Sequence, residues 1–173
     1  MKIFTNDQIR AIEQYTIEKE GVSSNELIER AAAAMTAEIT ARWRPDKKVW
    51  VFAGHGNNGA DALVVARMLV ERGYTVETLL FNVFNRLSDG CAYARKRLLD
   101  LGDVNFIEVT GDFTPPVITP GAVVVDGLFG SGLREALTGG FRSLVDYINN
   151  SKAKIVSIDV PSGLFAEWNE DNL

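Results

Sequence analysis

Val49-Trp50-Val51-Phe52-Ala53-Gly54-His55-Gly56-Asn57-Asn58-Gly59-Ala60-Asp61 is the stretch that decides the fold of this chain. Five apolar residues run into a glycine-dense turn, and a helical pattern (Leu63, Val64, Ala66, Met68, Leu69, Val70) begins directly behind it. Strand, tight turn and helix open a β/α unit, and the turn reads G-x-G-x-x-G. Glycines let a backbone come close to a ligand, and free amides at a helix N-terminus favour an anionic phosphate. Alone the motif is weak, because any tight strand-to-helix turn can carry two or three glycines. Its weight comes from the elements around it.

Before it, Thr5-Asn6-Asp7-Gln8 and Ser23-Ser24-Asn25-Glu26 both fit the capping box, in which cap and fourth residue satisfy each other's amides. They predict amphipathic helices over 6–20 and 24–42, separated by Gly21. After it, strands are expected at 75–81, 104–109, 122–126 and 154–158, with the first at 48–53. Helices are expected at 60–72, 88–101 and 140–150, with Gly73 and Gly102 as C-terminal stops. The segment 110–121, with Pro115, Pro116 and Pro120, reads as a loop in place of a helix. Continuous apolar strands such as Ala122-Val123-Val124-Val125 imply a parallel sheet covered on both faces. The fold class is therefore α/β: a three-layer, Rossmann-like doubly wound, mainly parallel sheet with two extra N-terminal helices. Residues 1–173 read as one such domain. The last strand leaves an apolar edge that needs cover, so the domain reads as truncated at its C-terminal end.

Size and charge narrow the function. With 173 residues, one domain can bury a sizeable core. Eighteen basic against 23 acidic residues give −5, which argues against nucleic-acid binding driven by phosphate neutralisation. No apolar run approaches the ~18 to 20 residues that span a bilayer, and Met1 to Asp7 lacks the apolar core of a signal peptide. One His and one Cys leave no basis for a zinc site or an internal disulfide. A cytoplasmic protein is the natural expectation.

In a doubly wound sheet the ligand sits beyond the carboxyl ends of the strands, where strand order reverses. With order 3-2-1-4-5, the loops Gly54–Ala60, Gly127–Leu133 and Asp159–Leu164 share one rim. Asn57, Asn58, Asp61, Asp126, Asp159 and Ser162 are then expected to converge on one crevice. Singly, Asp61 reads as a first-turn carboxylate matching the helix dipole, and Asp126 and Asp159 as turn residues. Their joint placement at adjacent strand ends favours a functional reading. His55 reads as a loop residue, Cys91 (with Ala94 and Leu98) as a small core hydrophobe, and Arg10, Lys19 and the other charges of the first two helices as a solvated face. A hydride-transfer cofactor expects an acidic residue closing the second strand, but that strand ends Leu79-Leu80-Phe81-Asn82. There is no Gly-Lys-Ser/Thr of a nucleoside-triphosphate loop either. The crevice suits a phosphorylated or dinucleotide ligand held in another way.

Three segments carry a resemblance. Gly54-His55-Gly56-Asn57-Asn58-Gly59-Ala60-Asp61, Asp126-Gly127-Leu128-Phe129-Gly130-Ser131-Gly132-Leu133 and Ser157-Ile158-Asp159-Val160-Pro161-Ser162-Gly163 resemble the motifs of the NAD(P)H-hydrate epimerase family, the YjeF-type N-terminal domain. Glu26-Leu27-Ile28-Glu29-Arg30-Ala31 resembles that family's N-terminal region. The resemblance implies an isomerase that epimerises the R and S forms of hydrated NADH and NADPH, a cofactor-repair step. It implies a bound potassium ion, held by Asn58, Asp126 and Ser162, which suits a hard cation that takes oxygen ligands. Substrate contacts would come from Asn57, Asn58, Gly59, Ala60, Asp61, Gly130, Ser131, Gly132, Leu133, Arg134, Glu135, Ala136 and Asp159, with Asp159 as the candidate catalytic acid/base. A homodimer and a fused or separate NAD(P)H-hydrate dehydratase are the implied partners, and animal members bind an apolipoprotein. The family usually has glycine at the positions of Ala60 and Ala62, and its domain continues through further strands. A non-catalytic dinucleotide- or protein-binding module of the same fold is therefore the alternative. Epimerisation either opens and recloses the hemiaminal ring or loses and re-adds water; the sequence leaves both open.

Overall fold

The structure, a computed structural model, describes residues 4–169. Two helices lead, α1 (Asn6–Glu20) and α2 (Ser24–Arg42), each opened by the expected capping box: Thr5 with Gln8 and Ser23 with Glu26. The alternating part follows as β1 (Val49–Ala53), α3 (Asn57–Glu71), β2 (Val76–Phe81), α4 (Asp89–Leu99), β3 (Asn105–Val109), β4 (Val123–Gly127), α5 (Gly139–Asn150) and β5 (Lys154–Ser157). Gly73 (φ 80°) and Gly102 (φ 90°) take the left-handed conformation that ends the preceding helices. The segment 110–121 carries neither helix nor strand.

All five strands form one parallel sheet in the order β3-β2-β1-β4-β5. Phe52 of β1 stands between Leu79 of β2 and Asp126 of β4, so the strand order reverses beside β1 and β4. Side chains alternate between two cores, as a strand's two-residue period requires. Val49, Val51 and Ala53, with Leu80, Val123 and Val125, pack under α2, α3 and α4. Trp50, Phe52, Leu79, Phe81 and Val124 pack with Leu144 and Ile148 of α5 and with Ile118 of the 110–121 loop. One face thus has three helices and the other a single helix plus a loop. Cys91, Ala94 and Leu98 are fully buried in the first core, so Cys91 is the core residue expected. Burial pushes its thiol up to about 12, which leaves it inert as a nucleophile.

Two expectations need correction here. Helix α3 starts at Asn57, not 60, because Gly56 serves as its N-cap and the turn shrinks to Gly54–Gly56. The charges of the first two helices are also not a uniform solvated face. Glu29 of α2 accepts from Arg67 of α3 (2.6 Å), from Arg97 (3.0 Å) and from the Tyr93 hydroxyl (3.2 Å) of α4, tying three helices together.

Candidate functional site

The turn after β1 is glycine-rich for a reason internal to the chain. A Cβ on Gly54 would stand 2.0 Å from the Leu128 carbonyl oxygen, and one on Gly59 would stand 1.8 Å from the Gly54 carbonyl oxygen. Gly54 therefore lets the turn after β1 touch the loop after β4, and Gly59 lets the first turn of α3 close onto Gly54. The contact is closed by the Gly54 amide donating to Gly127 (2.9 Å). The first intrahelical bond of α3 runs from the Ala60 amide to the Gly56 carbonyl (3.0 Å). The amides of Asn57, Asn58 and Gly59 thus precede any helical acceptor, and no side chain caps them.

Asn57 and Asn58, the first two of these residues, sit at the rim of a cleft of about 850 Å³. One wall is His55 to Asn58 with Asp61; another is the loop Leu128 to Glu135; Ile158 and Asp159 close the end beyond β5. The third wall is α1, through Asn6, Ile9, Arg10 and Glu13. Arg10 is exposed, as expected, and also lines the cleft, a role the sequence reading does not include. Spacing carried the signal: 6, 9–10 and 13 fall on one stripe of a helix. That stripe is largely polar, so it did not register as an inward face.

Ser131 is the pin of the loop after β4. Its amide donates to Asp159 Oδ2 (2.6 Å), and its carbonyl accepts from Asn6 Nδ2 (2.7 Å). Asn6 is the buried residue of α1, so this bond seats the helix against the site. The Asn6 role was not read from the sequence, where it passed as part of a capping box. Gly130 has no room for a side chain, since its Cβ would lie 2.7 Å from Asp159 Oδ2 and 3.2 Å from Asn58 Cγ.

The expected crevice divides in two. Asn57, Asn58, Asp61 and Asp159 line the cleft together with Gly130, Ser131, Gly132, Leu133, Arg134 and Glu135. Gly59, Ala60 and Ala136 do not line it; Ala60 is fully buried beside Gly90. Asp126 and Ser162 lie behind the cleft wall, both buried, and face a smaller cavity under α5. There the Asp126 carboxylate accepts from Ser162 Oγ (2.5 Å) and the Ser162 amide (2.9 Å), and more loosely from Ser157 Oγ and the Leu128 amide (3.3 Å each). Phe129 bridges the two groups. Its amide donates to Ser162 Oγ (3.0 Å), and its carbonyl accepts from Asn58 Nδ2 (2.7 Å). Asn58 Oδ1 is buried and has no hydrogen-bond partner among the described residues.

Asp61 departs from its bland reading. With α3 beginning at Asn57, it lies beyond the helix's first turn, and that turn holds no acidic residue. Burial, followed by the Glu13 and Asp159 carboxylates, pushes its carboxyl up to about 7. His55 lines the cleft but acts as loop structure: its ring meets Phe84 edge-on at 5.4 Å and its carbonyl accepts from the Ser88 amide.

Comparison with known proteins agrees with this architecture. Residues 24–172 match the family described as YjeF-related protein N-terminus. The NAD(P)H-hydrate epimerase of Oenococcus oeni is 36% identical over 164 residues, which are 94% of this chain and 75% of that protein. The protein of the same name from Rhodobacter capsulatus is 33% identical over 98% of this chain and 81% of its own length. The bifunctional NAD(P)H-hydrate repair enzyme Nnr of Coxiella burnetii is 33% identical over 97% of this chain, which spans only 33% of that protein. The crystal structure of yeast YNL200c superposes with a TM-score of 0.74 at 21% identity, covering 94% of this chain and 72% of that one; it supports the fold. The chain belongs to the YjeF-related N-terminal family.

Proposed function

We propose that this member of the YjeF-related family interconverts the R and S epimers of hydrated NADH and NADPH in the cleft between α1, the start of α3 and the loop after β4. The observation that carries the reading is the meeting of two features in one cleft: uncapped amides at the α3 N-terminus and two carboxyls, Asp61 and Asp159, on its walls. The amides suit the substrate's phosphates, and the carboxyls suit proton transfer at the hydrated ring. Relatives named NAD(P)H-hydrate epimerase align along nearly the whole chain, which supports the same assignment. Substrate contacts fall to Asn57, Asn58, Asp61, the loop 130–135 and Asp159.

Potassium belongs to this reading, and the residues fit it. Among the described residues no cluster of three or more His, Cys, Asp or Glu comes together, so a site must use amide, hydroxyl and a lone carboxylate. Asn58 Oδ1 is an orphaned buried acceptor, and the Phe129 backbone links Asn58 to Ser162 and, through it, to Asp126. These three side chains would hold the ion, and a large monovalent cation tolerates so loose a cage better than magnesium does. Held there, it would supply positive charge behind the cleft wall formed by Asn58 and Phe129.

The reading also carries a cytoplasmic location, a homodimer and a dehydratase, fused or separate, that restores the cofactor. No described helix is long and apolar enough to cross a membrane. The alternative of a non-catalytic module rests on Ala60, Ala62 and the expected further strands; the two alanines are buried away from the cleft. The test is direct. A single hydrate epimer is mixed with the protein and the epimer ratio followed by chromatography; no acceleration over spontaneous exchange sinks the reading.

A further inference from the structure

Resting on the function proposed above, we infer that Asp61 is a catalytic residue, the group that delivers a proton to the substrate's C6 hydroxyl and takes it back. The two cleft carboxyls have different surroundings. Asp159 is exposed and commits one oxygen to the Ser131 amide at 2.6 Å, a contact that positions the loop after β4. Asp61 stands on α3, is only partly open to solvent, and its carboxyl accepts no hydrogen bond from any described residue. A carboxyl with no internal donor is free to hydrogen-bond the ligand, and a helix fixes its position better than a loop does.

The chemistry balances without a further reactant. As the C6–O bond breaks, oxygen keeps the bonding pair, takes the Asp61 proton and leaves as water, while the ring nitrogen's lone pair forms the C6=N bond. Water then adds to the opposite face of C6, and the C=N pair returns to nitrogen. The proton shed by the added water passes through the cleft water to the Asp61 carboxylate. Nothing is oxidised or reduced. A group that both gives and takes a proton works best with comparable populations of its two forms at the operating pH. The charged and titratable groups that share the cleft with Asp61 are Arg10 and Glu13 on α1, His55 before α3, Arg134 and Glu135 after β4, and Asp159 after β5; of these, Glu13 and Asp159 act on its carboxyl. Burial raises its carboxyl most, the Glu13 and Asp159 carboxylates act in the same direction, and together they bring it to about 7.

The experiment measures epimer exchange against pH for wild type, Asp61→Asn and Asp61→Ala. Wild type should show an inflection in kcat near pH 7. Asp61→Asn should lower kcat by at least about a hundredfold with KM changed by less than about fivefold, and should lose the inflection. Asp61→Ala should regain activity on addition of formate, a small acid able to occupy the vacated space, a signature that a merely structural role does not give. An Asp61→Asn variant with kcat within about threefold of wild type, or an Asp61→Ala variant that folds and that formate leaves unchanged, overturns the inference. A wild type that accelerates nothing overturns the epimerase reading instead, so the two failures are distinct.

Discussion

Ala62 of α3 and Gly127 at the end of β4 are complementary: a Cβ placed on Gly127 would stand 2.4 Å from the Ala62 Cβ. Both residues are buried where α3 crosses the sheet. The methyl at position 62 is thus accommodated by the bare backbone of its neighbour. Gly127→Ala is expected to destabilise the fold by about 1–3 kcal/mol through overpacking. Ala62→Gly in the same background should recover part of that loss. Recovery will be incomplete, because the new methyl also meets the Asn58 carbonyl at 3.1 Å and glycine within a helix costs about 1 kcal/mol. Denaturant melts of the two single variants and the double variant check this; additive effects would show that the two positions do not touch.

Much of this architecture was legible because local rules and the global fold agree. Both capping boxes and the glycine stops follow from short-range patterns with clear physical causes, while the strand order, taken as a condition, agrees with the sheet. The misreadings share one origin, which is that tertiary contact changed the meaning of a residue. Gly56 caps α3 with no side chain at all, so nothing in the composition marks Asn57 as helical. Asn6, an ordinary cap neighbour by sequence, is buried and seats α1 on Ser131. Asp126 and Asn58 are joined through the backbone of Phe129, and a side-chain pattern cannot display a backbone bridge.

Arg10 and Arg134 line the cleft, and neither forms an ion pair with another described residue. Guanidinium groups suit phosphate oxygens. Arg10→Ala is expected to raise KM for hydrated NADPH roughly three- to tenfold while leaving kcat close to wild type, since the contact is made equally in ground and transition states. Steady-state kinetics decide it, and an unchanged KM would return Arg10 to the solvated face.

Glu29 concerns stability alone. It pairs with Arg67, whose side chain is 8% exposed and which also bonds Glu71 at 2.5 Å. Arg67 Nε is already buried without a partner. Glu29→Ala would leave a buried guanidinium with one carboxylate in place of two, and should cost about 2–4 kcal/mol. Glu20, exposed and paired with Arg30, is the control: Glu20→Ala should change stability by less than about 1 kcal/mol. Comparable losses in the two variants would remove any special place for the Glu29 network.

For potassium, the expected outcome is a higher Tm in potassium than in sodium or choline salts at equal ionic strength. Asp126→Asn should abolish the difference between the ions. It should also lower stability in choline, where the carboxylate still fixes Ser162 through bonds of 2.5 and 2.9 Å. Equal melting temperatures in all three salts would leave Asp126 as a purely structural clamp between β4 and the loop after β5.

Asp61 links the site to the pH dependence of folding. Its carboxyl titrates near an ordinary carboxylate value when unfolded and at about 7 when folded, chiefly because burial penalises the charge. Between those values the folded chain holds the proton more tightly than the unfolded chain does. Its contribution is therefore fully present below about pH 4 and is lost as pH rises through about 7, with an upper bound of about 4 kcal/mol. Asp61→Asn keeps the shape and removes the titration. Relative to wild type, the variant should gain stability progressively from pH 5 to pH 8, so that the difference between the two Tm curves widens with pH. A difference that stays flat across that range would show that Asp61 titrates as a solvated carboxylate. Its place as the proton-carrying wall of the cleft would then have no physical basis.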